Sequence, residues 1–301
     1  MKKVLMILAA ICMTMAANAK ILRVSNVSGS SAPYTTIDDA LNAASAGDTI
    51  MLDSSPNYYG TINSNYNITK KIVLIGPGYW LTENGTVAEG ASSAKIGHLT
   101  VKAEGVVIKG LSVNNFNIQA PKTVINRCST NNIIFKNEAD NGIITQCFIT
   151  GEIVGANFTQ LTNNIITSTS PNDFITDFTN GIIAYNTFRN KNIRIGSSIK
   201  NCTFENNLWK DYNEYGSGNS YNNNYKTDII NTQATNDFID TDYYNLEIPA
   251  EVISQYGAFA GDSPYVISGV PSGPIITDLE MPTTVEVGST PTVTIKVSIS
   301  K

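Results

Sequence analysis

Ile125-Asn126-Arg127-Cys128-Ser129-Thr130 and Ile144-Thr145-Gln146-Cys147-Phe148-Ile149 are two copies of one short phrase. An aliphatic residue is followed three positions later by one that is usually Cys or Asn. Two positions further on stands a residue that is usually apolar. The same phrase reads Ile108-Leu111-Val113, Leu161-Asn164-Ile166, Ile183-Asn186-Phe188 and Ile199-Cys202-Phe204. Along its middle column the steps are 17 (111 to 128), 19, 17, 22 and 16 residues. A repeat of about 20 residues marks a solenoid, in which each unit buries its face only against its neighbours. Such a unit is too short for paired helices, and its Ile, Val, Thr and Phe favour strands. Turn residues separate the apolar pieces: Asn114-Asn115, Asn131-Asn132, Thr150-Gly151, Asn190-Lys191 and Asn206-Asn207. Each repeat therefore reads as one coil of a parallel β-helix.

Further apolar positions precede the phrase: Leu99/Val101, Ile118/Ala120, Ile134, Ile153, Phe174 and Ile193/Ile195. They give three short strands per coil, with alternate residues pointing inward. Stacked coils lie about 4.8 Å apart, so like side chains sit above like. Asn164 and Asn186 then share a column and are expected to form an internal amide ladder. Cys128, Cys147 and Cys202 are placed in that same column as small buried side chains. Stacked side chains run parallel, so their Cβ atoms stay about 4.8 Å apart, wider than the ~3.8 Å of a disulfide. The thiols are expected to remain reduced, and no Cys-x-x-Cys or Cys/His spacing suggests a metal.

The chain has 301 residues, 42% of them hydrophobic, enough for one large domain or two small ones. Residues 1–19 read as a secretory signal: Lys2-Lys3, an apolar run from Val4 to about Ala17, then Ala17-Asn18-Ala19 as cleavage site. Export and cleavage after Ala19 are expected, placing the protein outside the cell or on its outer surface. Without Lys2 and Lys3, 18 basic residues face 25 acidic ones, a formal charge of −7. That surface repels nucleic acid, and no stretch of the mature chain is long and apolar enough to span a membrane.

Residues 20–246 are expected to form the β-helix and 247–301 a C-terminal tail packed on or beyond it. Ile21–Val24, Thr49–Leu52 and Ile68–Ile75 read as strands. Between the first two, Ile37, Ala40, Leu41 and Ala44 share one helical face. Thr36 with Asp39 resembles a capping box and Gly47 supplies the stop, so a short helix over about 36–46 would cover the open end of the solenoid. In the tail, Thr283–Val287 and Pro291–Ser300 look like strands, and Thr292–Ser300 alternates as a half-buried edge strand does. It would dock along the solenoid or act as an outer-membrane sorting signal.

The run Tyr34-Thr-Thr-Ile-Asp-Asp-Ala-Leu41, with Ala46-Gly47-Asp48-Thr49-Ile50, Tyr59-Gly60 and Lys70-Lys71-Ile-Val-Leu-Ile-Gly76, resembles the N-terminal signature of secreted pectate-lyase-like β-helix proteins. Gly76-Pro77-Gly78-Tyr79, Gly257-Ala258-Phe259-Ala260-Gly261, Pro264-Tyr265 and Ser268-Gly269 are similar to members from Bacteroidota-type bacteria. The resemblance covers most of the mature chain. It implies a right-handed parallel β-helix, all-β, and export; that superfamily mixes lyases, hydrolases, epimerases and adhesins, so it implies no single activity.

Site chemistry is sparse. The polygalacturonase-type motifs are missing, and the only Asp-Asp, Asp38-Asp39, falls in the expected cap helix. A Ca²⁺-dependent uronate lyase would need carboxylates on neighbouring coils and a base for the proton α to the uronate. Glu138, Asp140, Glu152, Asp173 and Asp177 supply the carboxylates, but at different offsets from the repeat; Lys136 and Arg194 are the candidate bases. Solvated loop charges are the alternative. The only histidine, His98, lies before the strand Leu99–Val101 without a partner motif for a triad or metal site. From Asn206 to Lys226, Trp209, Tyr212, Tyr215, Tyr221 and Tyr225 stand among Asn, Gly and Ser. Aromatic rings beside amides suit sugars, and packing of a loop over the last coils is the alternative. The expected function is a non-catalytic carbohydrate- or surface-interaction module that needs no cofactor. The other readings are the Ca²⁺-dependent lyase and a purely structural surface protein.

Overall fold

The computed structural model describes residues 19–81, 92–136, 139–167, 175–189, 196–209, 216–226, 250–280, 284, 290 and 292–300. Two parallel sheets run the length of a right-handed β-solenoid. The first has ten strands in chain order, from Ile21–Val24, Thr49–Leu52 and Val73–Ile75 through Ile144 and Ile183 to Ser220–Asn222. Its inward column is Ile108, Ile125, Ile144, Leu161, Ile183, Phe204 and Tyr221, all in register. Ile144 and Ile183 are fully buried.

The second sheet has twelve strands. Lys95–Val101, Ser112–Ile118 and Ser129–Phe135 each bend once, so their two halves lie on different faces of the coil. The bend changes which residues point inward. Ile133 and Phe135 are buried while Ile134 lies on the outer face, which corrects the expected inward position of Ile134. Phe174, Ile193 and Ile195 lie outside the described residues.

Between the two sheets, one residue per coil adopts the left-handed conformation: Arg127, Gln146, Asn163, Tyr185, Asn206 and Asn223, all with φ between 49° and 56°. In the first five that φ turns the N–H forward, to a carbonyl of the following coil. Arg127 donates to Thr145 O at 3.0 Å, Gln146 to Thr162 O at 3.2 Å and Tyr185 to Glu205 O at 3.0 Å.

The residue after each of these turns into the core. There the amide ladder runs through Asn164, Asn186, Asn207 and Asn224. Each Oδ1 accepts the backbone N–H of the ladder residue one coil earlier at 2.8–3.0 Å, the first donor being Cys147. Each Nδ2 also donates to a carbonyl in the preceding coil: Ile144, Leu161, Ile183 or Phe204. Cys128 and Cys147 continue the column with sulfur in the amide's place, the Cys128 N–H reaching Cys147 Sγ at 3.5 Å. Cys202 belongs elsewhere. It follows a second left-handed corner, at Asn201, and its N–H donates to Asn219 Oδ1 at 2.9 Å. The final repeats are therefore Phe204-Asn207-Trp209 and Tyr221-Asn224-Lys226, one corner away from the expected Ile199-Cys202-Phe204. All three described cysteines are free and buried.

The cap helix spans Ile37–Ala43, with Thr36 accepting from the Asp39 N–H and donating to its carboxylate. Lys70 Nζ closes its other end, donating to the carbonyls of Leu41, Asn42 and Ala44 at 2.6–3.0 Å. A cation at the helix C-terminus satisfies orphan acceptors and complements the dipole. No helix among the described residues is long and apolar enough to cross a membrane.

Residues 256–271 run back along the solenoid as a strap over the left-handed corner. Asn163 Nδ2 donates to Ala258 O and Ala260 O, Gln146 Nε2 to Ser263 O and Pro264 O, and Arg127 Nη1 to Val270 O. Tyr79 and Tyr265 join hydroxyls at the strap's far end. Beneath it, Phe148 and Ile165 point outward from the second sheet and are buried with Ala258 and Tyr265. The last strands, Gly273–Glu280 and Thr294–Ser300, pair antiparallel as a separate two-stranded sheet. Side chains 292–296 there are all exposed, so the expected half-buried alternation of Thr292–Ser300 is not seen over those residues.

Candidate functional site

The strap covers one half of the outer second sheet. On the other half, the bent strands stack polar residues in register. Asn65, His98 and Asn115 are successive Cα partners, and Asn115 pairs with Asn132. Thr100, Asn117 and Ile134 form the neighbouring column. A third column is exposed: the N–H groups of Lys102, Gln119 and Lys136 donate one coil back to Ile68, Val101 and Ile118. Within a column neighbours stand about 4.8 Å apart.

His98, Asn115 and Asn132 are joined side chain to side chain. Asn132 Nδ2 donates to Asn115 Oδ1 at 2.8 Å, and Asn115 Nδ2 lies 3.1 Å from His98 Nδ1. The Glu152 backbone N–H donates to Asn132 Oδ1 at 2.8 Å and ends the row. Gly151 makes that approach feasible, because a Cβ there would collide with Asn131 and Asn132. Asn117 Oδ1 is buried and has no hydrogen-bond partner among the described residues. His98 thus sits inside the strand Lys95–Val101, rather than ahead of a shorter one, and is half-buried. The sequence signal for this face is the Asn-Asn pair at one offset in successive coils, a pattern that turn chemistry alone also explains.

The aromatic cluster is placed differently. Trp209 is fully buried, 5.4 Å from Phe188 and 6.0 Å from Phe204 between ring centroids, so neither ring face meets solvent. Its position in a sugar platform is corrected to the core: it takes the inward slot that Phe188 occupies one coil earlier. Tyr221 is half-buried and stacked on Phe204 at 4.8 Å; Tyr225 is half-buried beside Tyr256 at 5.2 Å. Tyr212 and Tyr215 lie outside the described residues.

Of the lyase residues, Glu138, Asp173 and Arg194 lie outside the described residues. Asp140 is half-buried and accepts from Asn157 Nδ2 at 3.0 Å. Asp177 is exposed on another coil, with its N–H bonded to Ser198. Among the described residues no three of His, Cys, Asp and Glu come together in a way that could hold a metal ion. Lys136 stands exposed in the third column, two residues along the strand from Ile134. Burial pushes the Cys147 and Cys202 thiols above their ordinary values, which keeps them protonated and unreactive.

Compared with protein-family models, with curated proteins and with solved structures, the chain matches none.

Proposed function

We propose that the chain is an exported, non-catalytic interaction module that binds carbohydrate on the amide-lined half of the second sheet. The observation that carries this reading is the row His98–Asn115–Asn132, stacked in register and bonded side chain to side chain. Amides offer donor and acceptor together, matching the paired hydroxyls of a sugar. A row repeating at about 4.8 Å along the solenoid axis suits an extended chain of similar units better than a single small ligand. Each interior amide of the row uses one N–H and accepts one bond, so one N–H per residue stays free for a ligand.

The proposal takes secretion from the Lys2-Lys3 signal segment, and kinship with pectate-lyase-like proteins from the residue resemblance described above. The test is a glycan array probed with the mature chain, with and without Ca²⁺. Binding that drops at least about tenfold in Asn115→Ala and Asn132→Ala, with unchanged melting, supports the reading. Binding that survives both changes moves the site elsewhere, and an empty array favours a purely structural surface protein. Unsaturated product from polygalacturonate or alginate, absorbing in the ultraviolet, would make the protein a lyase.

A further inference from the structure

The amide row has a direction. Its far end is the Glu152 backbone N–H, which can only donate. Asn132 must therefore present its oxygen to Glu152 and its nitrogen to Asn115. Asn115 then presents its oxygen to Asn132 and its nitrogen to His98 Nδ1. The fixed donor at one end leaves His98 Nδ1 as an acceptor at the other, so its ring proton sits on Nε2.

We propose that His98 is the pH-sensitive end of the glycan-binding face, which is competent only while this imidazole is neutral. The proposal rests on the reading that the face binds carbohydrate. A proton arriving at Nδ1 would set a donor against the Asn115 Nδ2 donor. Rotating the Asn115 amide relieves that clash but turns its nitrogen toward the Asn132 nitrogen. Rotating Asn132 in turn sets its nitrogen against the Glu152 N–H, which cannot rotate. One link must break wherever the chain adjusts, and the row of free N–H groups loses its alignment. Histidine is the side chain whose charge ordinarily changes nearest neutrality, so the assay spans that range.

Among the described residues, the groups that pair with or bond to His98 from the neighbouring strands and turn are not titratable. The strand Asn65–Ile68 faces His98 with Asn65, and the strand Ser112–Ile118 faces it with Asn115. The turn before Asn65 contributes the Ser64 carbonyl, which accepts the His98 N–H at 2.7 Å. On its own strand the nearest charges are Lys95 and, just beyond the end, Lys102; the Glu152 carboxyl stands three coils away in the same row.

Because His98 is the only histidine, imidazole spectra of the full mature chain are unambiguous. Long-range ¹H–¹⁵N spectra of histidine-labelled protein at pH 8 should show the proton on Nε2. Affinity for the glycan found on the array should fall about fivefold between pH 7.5 and pH 5.5, the equivalent of one hydrogen bond. His98→Gln, whose Oε1 still accepts from Asn115, should bind with the same affinity at pH 5.5 as at pH 7.5, whatever that affinity is. A proton on Nδ1 overturns the chain polarity. Equal pH dependence in the wild type and His98→Gln overturns the switch while leaving carbohydrate binding standing. If no glycan binds at any pH, the binding reading fails and the switch with it, while the Nε2 proton still decides the polarity.

Discussion

Asn186→Ala tests the internal ladder most directly. Asn186 Oδ1 accepts from the Asn164 backbone N–H and from Asn164 Nδ2, both at 3.0 Å. Its Nδ2 donates to Leu161 O at 2.7 Å and to Asn207 Oδ1 at 3.1 Å. The residue is fully buried, so water cannot replace those partners without entering the core. Truncation strands at least one backbone N–H and one carbonyl, at about 1–3 kcal/mol each, and leaves a small cavity. The expected cost is about 3–5 kcal/mol, a melting drop on the order of 10 °C for a domain of this size. Asn186→Cys should cost about half as much, because Cys147 already fills the equivalent slot and accepts a backbone N–H through sulfur. Asn131→Ala, at the exposed bend of the strand Ser129–Phe135, should stay within about 0.5 kcal/mol and serves as control. Thermal melts followed by circular dichroism rank the three. Equal melting of Asn186→Ala and Asn131→Ala would refute the claim that the ladder carries stability.

Ile183→Asp should lower stability by several kcal/mol, since the side chain is fully buried between Leu161 and Phe204; an unchanged melt would break the register. Thiol titration of the unfolded mature chain should find three free groups, and finding one would mean that two cysteines had bridged. Burial, then the nearby Asp53 charge, pushes Tyr59 up to about 12. The folded state therefore holds this proton after the unfolded chain has released its own near pH 10, and Tyr59's contribution to stability should disappear as pH rises from about 10 to 12. Tyr59→Phe should flatten that part of the alkaline unfolding curve. Finally, no uronate cleavage is expected in millimolar Ca²⁺, and ultraviolet-absorbing product lost in Arg194→Ala would overturn this.

How much of this was legible in sequence follows from what each residue answers to. The coil, the cap helix and the first ladder positions were readable because Ile144, Thr36 and Asn164 obey local rules of period and capping. Cys202 misled, because two corners of the coil use the same device. Each has a left-handed residue followed by a small hydrogen-bonding one, and Cys202 fits either by spacing. Trp209 misled through composition, since Asn-rich surroundings suggested a surface loop where Asn206 and Asn207 in fact form a corner and a core rung. Ile134 shows that the bend within Ser129–Phe135 shifts the two-residue alternation, an effect no local pattern announces. The strap was least visible, because the solenoid reads its backbone carbonyls rather than distinctive side chains.

Arg127, Gln146 and Tyr185 make sense only once the strap is in place. Left-handed backbone costs such residues about 1 kcal/mol or more, and only Asn and Gly adopt it routinely. Asn163, Asn206 and Asn223 follow that preference, so the corner itself asks for nothing longer. Arg127 and Gln146 reach strap carbonyls that a shorter side chain would miss, while the Tyr185 ring packs against Gly261. Strain at those positions is thus explained by a contact outside the coil rather than by the turn. The same strap buries Phe148 and Ile165 and leaves His98, Asn115 and Asn132 uncovered. It divides the second sheet into a half that it buries for the protein's own stability and a half whose amide row it does not cover.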